Sequence, residues 1–165
     1  MQSTNQHEFL QQLNQHQSLI YKVCNLYGNT VADREDLFQE IIVQLWKAYP
    51  RFRGDAKFST WLYRIALNTA ISGLRKRRNQ IASVEPDELP SEIEEELYSA
   101  EKDEQLEQMY AGIRQLSEIE RALVMLYLED RSYDEMEEIL GINQNNLRVK
   151  MNRIKEKLRK IIKPS

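Results

Sequence analysis

Residues 52–78, FRGDAKFSTWLYRIALNTAISGLRKRR, interleave aromatic and basic side chains at both turn-like and helical spacing. Four aromatic residues fall within a dozen positions, and Asp55 is the only acid among them and the surrounding basic residues. Aromatic planes stack on unpaired bases and cations neutralise phosphates, so the combination predicts a surface that meets nucleic acid. Taken alone, aromatic residues at helical spacing favour a core helix with a charged face and a basic end. The rest of the chain decides between these interpretations.

Charge is distributed unevenly along the 165 residues, whose net charge is −3. Residues 51–79 hold eight basic and one acidic residue, residues 80–107 one basic and eleven acidic, and residues 143–165 eight basic and one acidic. Two basic stretches separated by an acidic one predict two contacts with a polyanion.

Length and composition limit the number of domains, the expected location of the protein and the role of its cysteine. The length fits one domain or two small ones. No apolar run approaches the length of a membrane span, and the first residues carry neither a basic nor an apolar leader segment, so we expect a cytoplasmic protein without direct membrane insertion. The single Cys24 allows no intrachain disulfide and no cysteine-based metal site, and its apolar neighbours at helical spacing predict a small buried side chain.

Helical periodicity fills the N-terminal half. Apolar residues three to four positions apart predict one amphipathic helix over residues 8–27, ended by Gly28. Asp33 is the predicted N-cap of a second helix that runs to Pro50. The apolar residues of this helix form two rows. The first row, Leu37, Ile41 and Leu45, can face a core. The second row either packs against other parts of the protein or is available to a partner, and it consists of Phe38, Ile42, Trp46 and Tyr49.

A loop at residues 50–58 leads to a third helix, for which Ser59 or Thr60 is the predicted cap. Two prolines and many acids then interrupt the periodicity, which predicts a flexible acidic linker over residues 80–104. The acids between positions 92 and 96 could bind a divalent metal, but the nearby prolines favour a solvated linker.

Two serine-glutamate capping boxes open short helices in the C-terminal half, at Ser117 and at Ser132. The second of these helices ends at Gly141, after which Asn143 can cap a long final helix. This order is typical of a helix-turn-helix, although small helical bundles also use it for packing alone. The predicted fold class is therefore all-α, with two small helical domains at residues 1–79 and 105–165.

The start of the final helix is rich in amides and guanidinium groups, whose geometry matches the edges of bases. We predict that this helix contacts DNA through seven residues. They are Gln144, Asn145, Asn146, Arg148, Val149, Asn152 and Arg153.

Motifs of enzymes are missing from the sequence. It contains no phosphate-binding glycine loop, no paired-histidine metal motif and no nucleophile elbow. His7 and His16 lie in a polar stretch, where we expect them to be exposed and not metal ligands. The sequence predicts no catalytic residue, no metal site and no cofactor.

The most specific part of the sequence is a series of segments in the N-terminal half: Asp36-Leu37-Phe38-Gln39-Glu40 running to Trp46, Phe52-Arg53-Gly54, Phe58, Thr60-Trp61-Leu62, Arg64-Ile65-Ala66 and Asn68. With these segments, the order of features resembles the extracytoplasmic-function group of bacterial RNA polymerase sigma factors over nearly the whole chain. The resemblance implies an initiation factor that binds core RNA polymerase and promoter DNA and performs no bond chemistry.

The resemblance also implies a role for each segment. The second helix would dock on the coiled coil of the polymerase β′ subunit through Asp36, Leu37, Gln39, Glu40, Ile42 and Trp46. The β subunit of the polymerase would be a further partner. The loop and the third helix would hold the melted strand of the minus-ten element through Phe52, Lys57, Phe58, Trp61, Arg64, Asn68, Arg75 and Lys76. The final helix would read the minus-thirty-five element as duplex. An anti-sigma factor, in this group often membrane-anchored, is a further expected partner.

Two other functions stay open on the residues alone. A free-standing helix-turn-helix regulator would bind duplex DNA without polymerase, but it leaves the aromatic and basic residues at 52–64 unexplained. A nuclease or another phosphoryl-transfer enzyme would need an ordered carboxylate site, and a chelator would abolish its activity.

Overall fold

A computed structural model describes residues 2–81 and 104–161 of the chain. Within these ranges the chain forms eight α-helices, one 3-10 turn and no strand, and it divides into two compact units, Met1–Gly73 and Leu74–Ser165. The all-α prediction is confirmed. Most of the predicted linker at 80–104, including the acids between positions 92 and 96, lies outside the described residues, so the domain limits stay a prediction.

The helices follow one another without intervening strands in the described ranges, and none of those helices is long and apolar enough to cross a membrane. In chain order they are α1 Gln2–Gln15, α2 Gln17–Tyr27, α3 Val31–Ala48, the 3-10 turn Tyr49–Arg51, α4 Phe58–Ile81, α5 Glu104–Arg114, α6 Glu118–Leu128, α7 Tyr133–Leu140 and α8 Gln144–Ile161.

The prediction of one continuous helix over residues 8–27 is wrong, because the chain breaks at His16 into α1 and α2. In a continuous helix the carbonyl of Gln12 would accept a hydrogen bond from the backbone N–H of His16. Here the His16 ring nitrogen Nδ1 lies 2.9 Å from that carbonyl, and the His16 N–H turns to the carbonyl of Leu13 at 3.1 Å. The side chain thus replaces the backbone donor and ends α1.

The N-cap of α3 is Thr30 and not the predicted Asp33. Thr30 Oγ1 accepts a hydrogen bond from the Asp33 N–H at 3.0 Å, so Asp33 lies in the first turn, where its charge suits the helix dipole. The predicted core row of α3 is confirmed, since Leu37, Ile41 and Leu45 are all buried.

Helix α4 begins at Phe58, before both of its predicted caps. The backbone N–H of Trp61 donates to the carbonyl of Lys57 at 3.1 Å, which makes Lys57 the last residue before the helix. Ser59 and Thr60 therefore lie in the first turn, and Thr60 is buried. The buried face of α4 completes the core of the first unit with Leu62, Tyr63, Ala66, Leu67, Ala70 and Ile71.

The capping box at Ser117 is confirmed in the second unit. Ser117 Oγ accepts from the Glu120 N–H at 3.3 Å, and Glu120 Oε1 accepts from the Ser117 N–H at 3.1 Å. Glu120 Oε2 also lies 2.8 Å from Lys157 Nζ of α8. Burial opposes ionisation of this carboxyl, but Lys157 and Ser117 outweigh burial and hold the pKa of Glu120 below its usual 4.5.

The helix-turn-helix is formed by α7, a glycine turn and α8. Gly141 ends α7 in the left-handed region with φ 70° and donates its N–H to the carbonyl of Glu137 at 2.7 Å. Asn143 Oδ1 then accepts from the Asn145 N–H at 2.8 Å, as an N-cap does. Both predicted signals are therefore confirmed, and Leu147, Met151 and Ile154 of α8 are buried in the core.

Candidate nucleic-acid and polymerase interfaces

The outer face of α3 carries most of the residues predicted to bind polymerase. Asp36, Gln39 and Glu40 are exposed on it, and Trp46 is 45% exposed at its edge. Gln39 and Glu40 follow Asp36 by three and four positions, and Trp46 follows Gln39 by seven, so these residues lie toward one side of the helix. Leu37 lies in the core row instead, where it can only support this face.

Two further residues, one on α3 and one on its neighbour α2, are exposed although spacing in the sequence did not single them out. Val43 is exposed on the same side of α3 as Asp36 and Glu40, and its helical spacing could have revealed it. Tyr21 of α2 stacks on Phe38 of α3, with ring centroids 4.7 Å apart. Tyr21 is 51% exposed, and since it comes from another helix, no spacing within α3 could have identified it.

Three of the four aromatic residues within residues 52–78, namely Phe52, Phe58 and Trp61, form one cluster in which each ring contacts the other two. The centroid of Phe52 lies 4.9 Å from Trp61 and 5.8 Å from Phe58, and Phe58 lies 5.3 Å from Trp61. Tyr49 of the 3-10 turn joins the cluster at 6.2 Å from Trp61. The cluster extends to α1, because Phe9 packs 5.0 Å from Tyr49.

The members of this cluster differ in exposure. Phe58 is only 9% exposed, and His16 covers it with a centroid separation of 5.1 Å. Phe52 and Trp61 are half-buried and retain surface open to solvent. His16 is half-buried as well, contrary to the expected exposure, whereas His7 is exposed as expected. Phe58 therefore supports the rings that a base could reach.

One face of α4 continues this aromatic surface with polar and basic groups. Trp61, Arg64, Asn68 and Arg75 are three, four and seven positions apart, which places them on one side of the helix. Arg64, Asn68 and Arg75 are exposed, and the line from Trp61 to Asn68 spans about 11 Å at 1.5 Å per residue. Such a face offers a stacking plane followed by cations along a strand.

The loop before α4 and the helix itself carry further basic residues. Arg53 and Lys57 are exposed, as is Lys76 on α4. Gly54 turns this loop with φ 78°, a conformation that a side chain would disfavour.

The first turns of α8 present the seven residues predicted to contact duplex DNA. All of them are exposed except Gln144, which is half-buried. Two of the seven contact α7: the Gln144 side-chain amide donates a hydrogen bond to Asp134, and the Arg148 guanidinium carbon lies 5.0 Å from the centre of the Tyr133 ring. Spacing within α8 could not reveal these partners, because they lie on another helix.

Reactive groups suited to catalysis are scarce in the described part of the chain. Cys24 is buried, as predicted, and burial raises the pKa of its thiol to about 12. Among residues 2–81 and 104–161, no three His, Cys, Asp or Glu side chains stand close enough to hold a metal ion.

Comparison with known families finds two matches along the chain. The Sigma-70 region 2 family matches residues 13–80, and the Sigma-70, region 4 family matches residues 106–158. A match to Sigma-70 region 2, followed by a match to Sigma-70 region 4 over a helix-turn-helix, is typical of a transcription initiation factor of the sigma type.

Two similar proteins show which group of sigma factors the chain belongs to. The ECF RNA polymerase sigma factor SigW of Bacillus subtilis (strain 168) is 30% identical over 155 residues, which cover 86% of this chain and 81% of SigW. The RNA polymerase sigma-H factor of Pseudomonas aeruginosa is 31% identical over 158 residues, covering 87% and 82% of the two chains. The chain therefore belongs to the ECF family of bacterial RNA polymerase sigma factors, which act in transcription initiation and are not enzymes.

Two solved structures share the fold. The sigma factor RpoE from Bartonella quintana, in complex with the anti-sigma factor NepR, superposes with a TM-score of 0.75 at 18% identity, covering 93% of this chain and 96% of RpoE. CnrH, in complex with the cytosolic domain of CnrY, gives a TM-score of 0.69 at 22% identity, covering 96% of this chain and 90% of CnrH.

Proposed function

We propose that the first unit binds core RNA polymerase through α3 and holds the melted minus-ten strand on α4, while α8 reads the minus-thirty-five element as duplex. The observation that carries this proposal is the face of α4 on which Trp61 is followed by Arg64, Asn68 and Arg75. A regulator that only bound duplex DNA would not need a stacking plane beside cations on a second surface.

The strand-binding role rests on the chemistry of this face. An unpaired base can stack on the accessible parts of Phe52 and Trp61, and both of these rings also contact Tyr49 and Phe58. Asn68 offers an amide to the exposed edge of a base, and Arg64 and Arg75 offer charge to phosphates. Stacking contributes about 1–3 kcal/mol per base, comparable with the cost of unstacking it.

The polymerase-binding role rests on the exposed apolar surface of α3. Trp46 and Val43 are exposed although both are large and apolar. Their neighbours Asp36, Gln39 and Glu40 supply the polar rim that protein interfaces usually have. We assign the coiled coil of the polymerase β′ subunit as the partner of this surface, with the β subunit contacting the factor elsewhere.

Regulation and location complete the proposal. The RpoE neighbour is bound to the anti-sigma factor NepR, and by analogy we propose that an anti-sigma factor, soluble or membrane-anchored, holds this chain inactive. Transcription takes place in the bacterial cytoplasm, so we assign the protein to that compartment.

Co-purification with bacterial core RNA polymerase, followed by run-off transcription from a promoter library, tests the proposal. Stable association and promoter-dependent transcripts are expected, and the transcripts give the recognised sequence. Duplex binding by the protein alone, with no association with polymerase, would contradict the proposal and favour a free-standing regulator.

A further inference from the structure

The first residue of α7 supports the base-facing turn of α8. The guanidinium carbon of Arg148 lies 5.0 Å from the centroid of the Tyr133 ring, within the range of a cation–π contact. Asp134, the next residue, accepts a hydrogen bond from the Gln144 side chain. Two of the seven residues predicted to face DNA are thus held by one turn of the preceding helix.

That turn is itself fixed. Ser132 Oγ accepts from the Glu135 N–H at 3.2 Å, and the Glu135 carboxylate binds Arg131 at 3.0 Å. Met136 in the following turn is buried in the core of the unit. The Tyr133 ring is half-buried on this turn, so it forms a rigid base for the long Arg148 side chain.

The contact leaves the recognition groups of arginine usable. A guanidinium that lies against an aromatic face keeps the N–H groups of its edge available, and it has already lost part of the rotamer freedom that binding would cost. Those edge groups make the bidentate contact with O6 and N7 of guanine in the major groove. Arg148 is exposed and is the fifth residue of α8, within the part of a recognition helix that reaches base edges.

We propose that Tyr133 is a positioning residue that orients Arg148 to read a guanine in the duplex bound by α8. The inference rests on the proposed function, because it requires α8 to lie in the major groove of the upstream promoter element. It adds to that function the base that Arg148 reads and the residue that holds Arg148 in place.

The test uses the full-length protein with bacterial core polymerase and a promoter library randomised in the upstream element. Arg148→Ala should remove a preference for guanine at one position, about tenfold in relative transcript yield. Tyr133→Leu should weaken the same preference at the same position. Tyr133→Phe should preserve it, since the aromatic face remains.

Tyr127 provides a matched control. Lys155 Nζ lies 4.6 Å from the Tyr127 ring centroid, so the same kind of contact joins α6 to α8 about two turns beyond Arg148. Tyr127→Leu should leave every base preference unchanged. Melting temperatures of all variants ensure that preferences are compared in folded proteins.

Three outcomes would overturn the assignment. If Arg148→Ala lowers transcription equally from all upstream sequences, Arg148 contacts phosphate and not a base. If Tyr133→Leu keeps the full guanine preference that Arg148→Ala abolishes, the ring does not position the guanidinium. If the unaltered protein joins polymerase but shows no upstream preference at all, the proposed duplex readout by α8 fails, and the assignment fails with it.

Discussion

The rings of Phe52 and Trp61 lie 4.9 Å apart between centroids, with planes inclined at 42°. Phe52 comes from the chain that follows the 3-10 turn, and Trp61 comes from the first turn of α4. The contact therefore fixes the loop carrying Gly54 and Lys57 against the start of the helix. A base that stacks on either ring meets a surface already formed, which lowers the entropic cost of binding.

Replacing Trp61 should separate promoter opening from polymerase binding. Trp61→Ala removes one stacking plane worth about 1–3 kcal/mol, so we expect open-complex formation to fall about tenfold or more at unchanged polymerase affinity. Trp46→Ala should weaken polymerase binding by about tenfold, because exposed tryptophans often dominate interfaces. Fluorescence of a 2-aminopurine base in the minus-ten element measures opening, and competition for labelled polymerase measures affinity.

Asn68→Ala is a second variant that should affect promoter opening and not polymerase binding. Asn68 is exposed on α4 two turns beyond Trp61, and truncating it should lower opening without a change in folding. Equal loss of polymerase affinity in the Trp46, Trp61 and Asn68 variants would contradict separate surfaces on α3 and α4.

Phe58→Ala should act on stability, because Phe58 is 9% exposed and touches the rings of His16, Phe52 and Trp61. Truncating a buried phenylalanine typically costs about 3–5 kcal/mol of unfolding free energy. Both tryptophans of the chain lie in the first unit, so their fluorescence during urea unfolding reports on that unit. A variant of unchanged stability that fails to open promoters would instead make Phe58 a direct base contact.

The sequence is sufficient to predict the features that depend on local chemistry. The buried row Leu37, Ile41 and Leu45 follows from a 3.6-residue period, and the cap at Ser117 follows from a hydroxyl and a carboxylate three positions apart. Gly141 and Asn143 predict the turn of the helix-turn-helix for the same reason. Each feature is determined within one helix or one turn of the chain.

Features that depend on tertiary contacts could not be predicted in this way. Phe58 and Trp61 are both aromatic and three positions apart, yet Phe58 is the buried one, and one of the rings that cover it, His16, comes from a distant part of the sequence. The break at His16 results from an imidazole competing for a backbone carbonyl, which has no signature such as proline or glycine. The contact between the Tyr133 ring and Arg148 likewise joins two helices, so spacing within one helix could not predict it.

The ion pair between Glu120 and Lys157 should make the second unit sensitive to acid. The folded-state pKa of Glu120 lies below its unfolded value, so its contribution is present above about pH 4.5 and is lost as the pH falls through the folded value. Glu120→Gln keeps the capping geometry but removes the charge. The difference should stay under about 1 kcal/mol at neutral pH, because Lys157 is largely exposed, and should decrease as the pH falls below about 4.5.

Hydrogen exchange of α6 and α8 amides in the full chain measures this difference. The rates are taken at several pH values and corrected for intrinsic exchange. Lys157→Met is the matched variant, and its effect should not add to that of Glu120→Gln if the two groups act as a pair. A difference that does not decrease at all as the pH is lowered from neutral to below 4.5 would show that the charge of Glu120 is not its source.

Two glycines should respond to alanine with opposite signs. A Cβ atom added to Gly141 or to Gly73 would meet no atom within 4 Å, so crowding affects neither substitution. Gly141 has φ 70°, and alanine there should destabilise the second unit by about 1–2 kcal/mol. Gly73 lies inside α4 in a helical conformation, where alanine should stabilise by about 0.5–1 kcal/mol. Thermal unfolding followed by circular dichroism compares both variants with the unaltered chain, and destabilisation by both would mean that conformational preference is not the dominant effect.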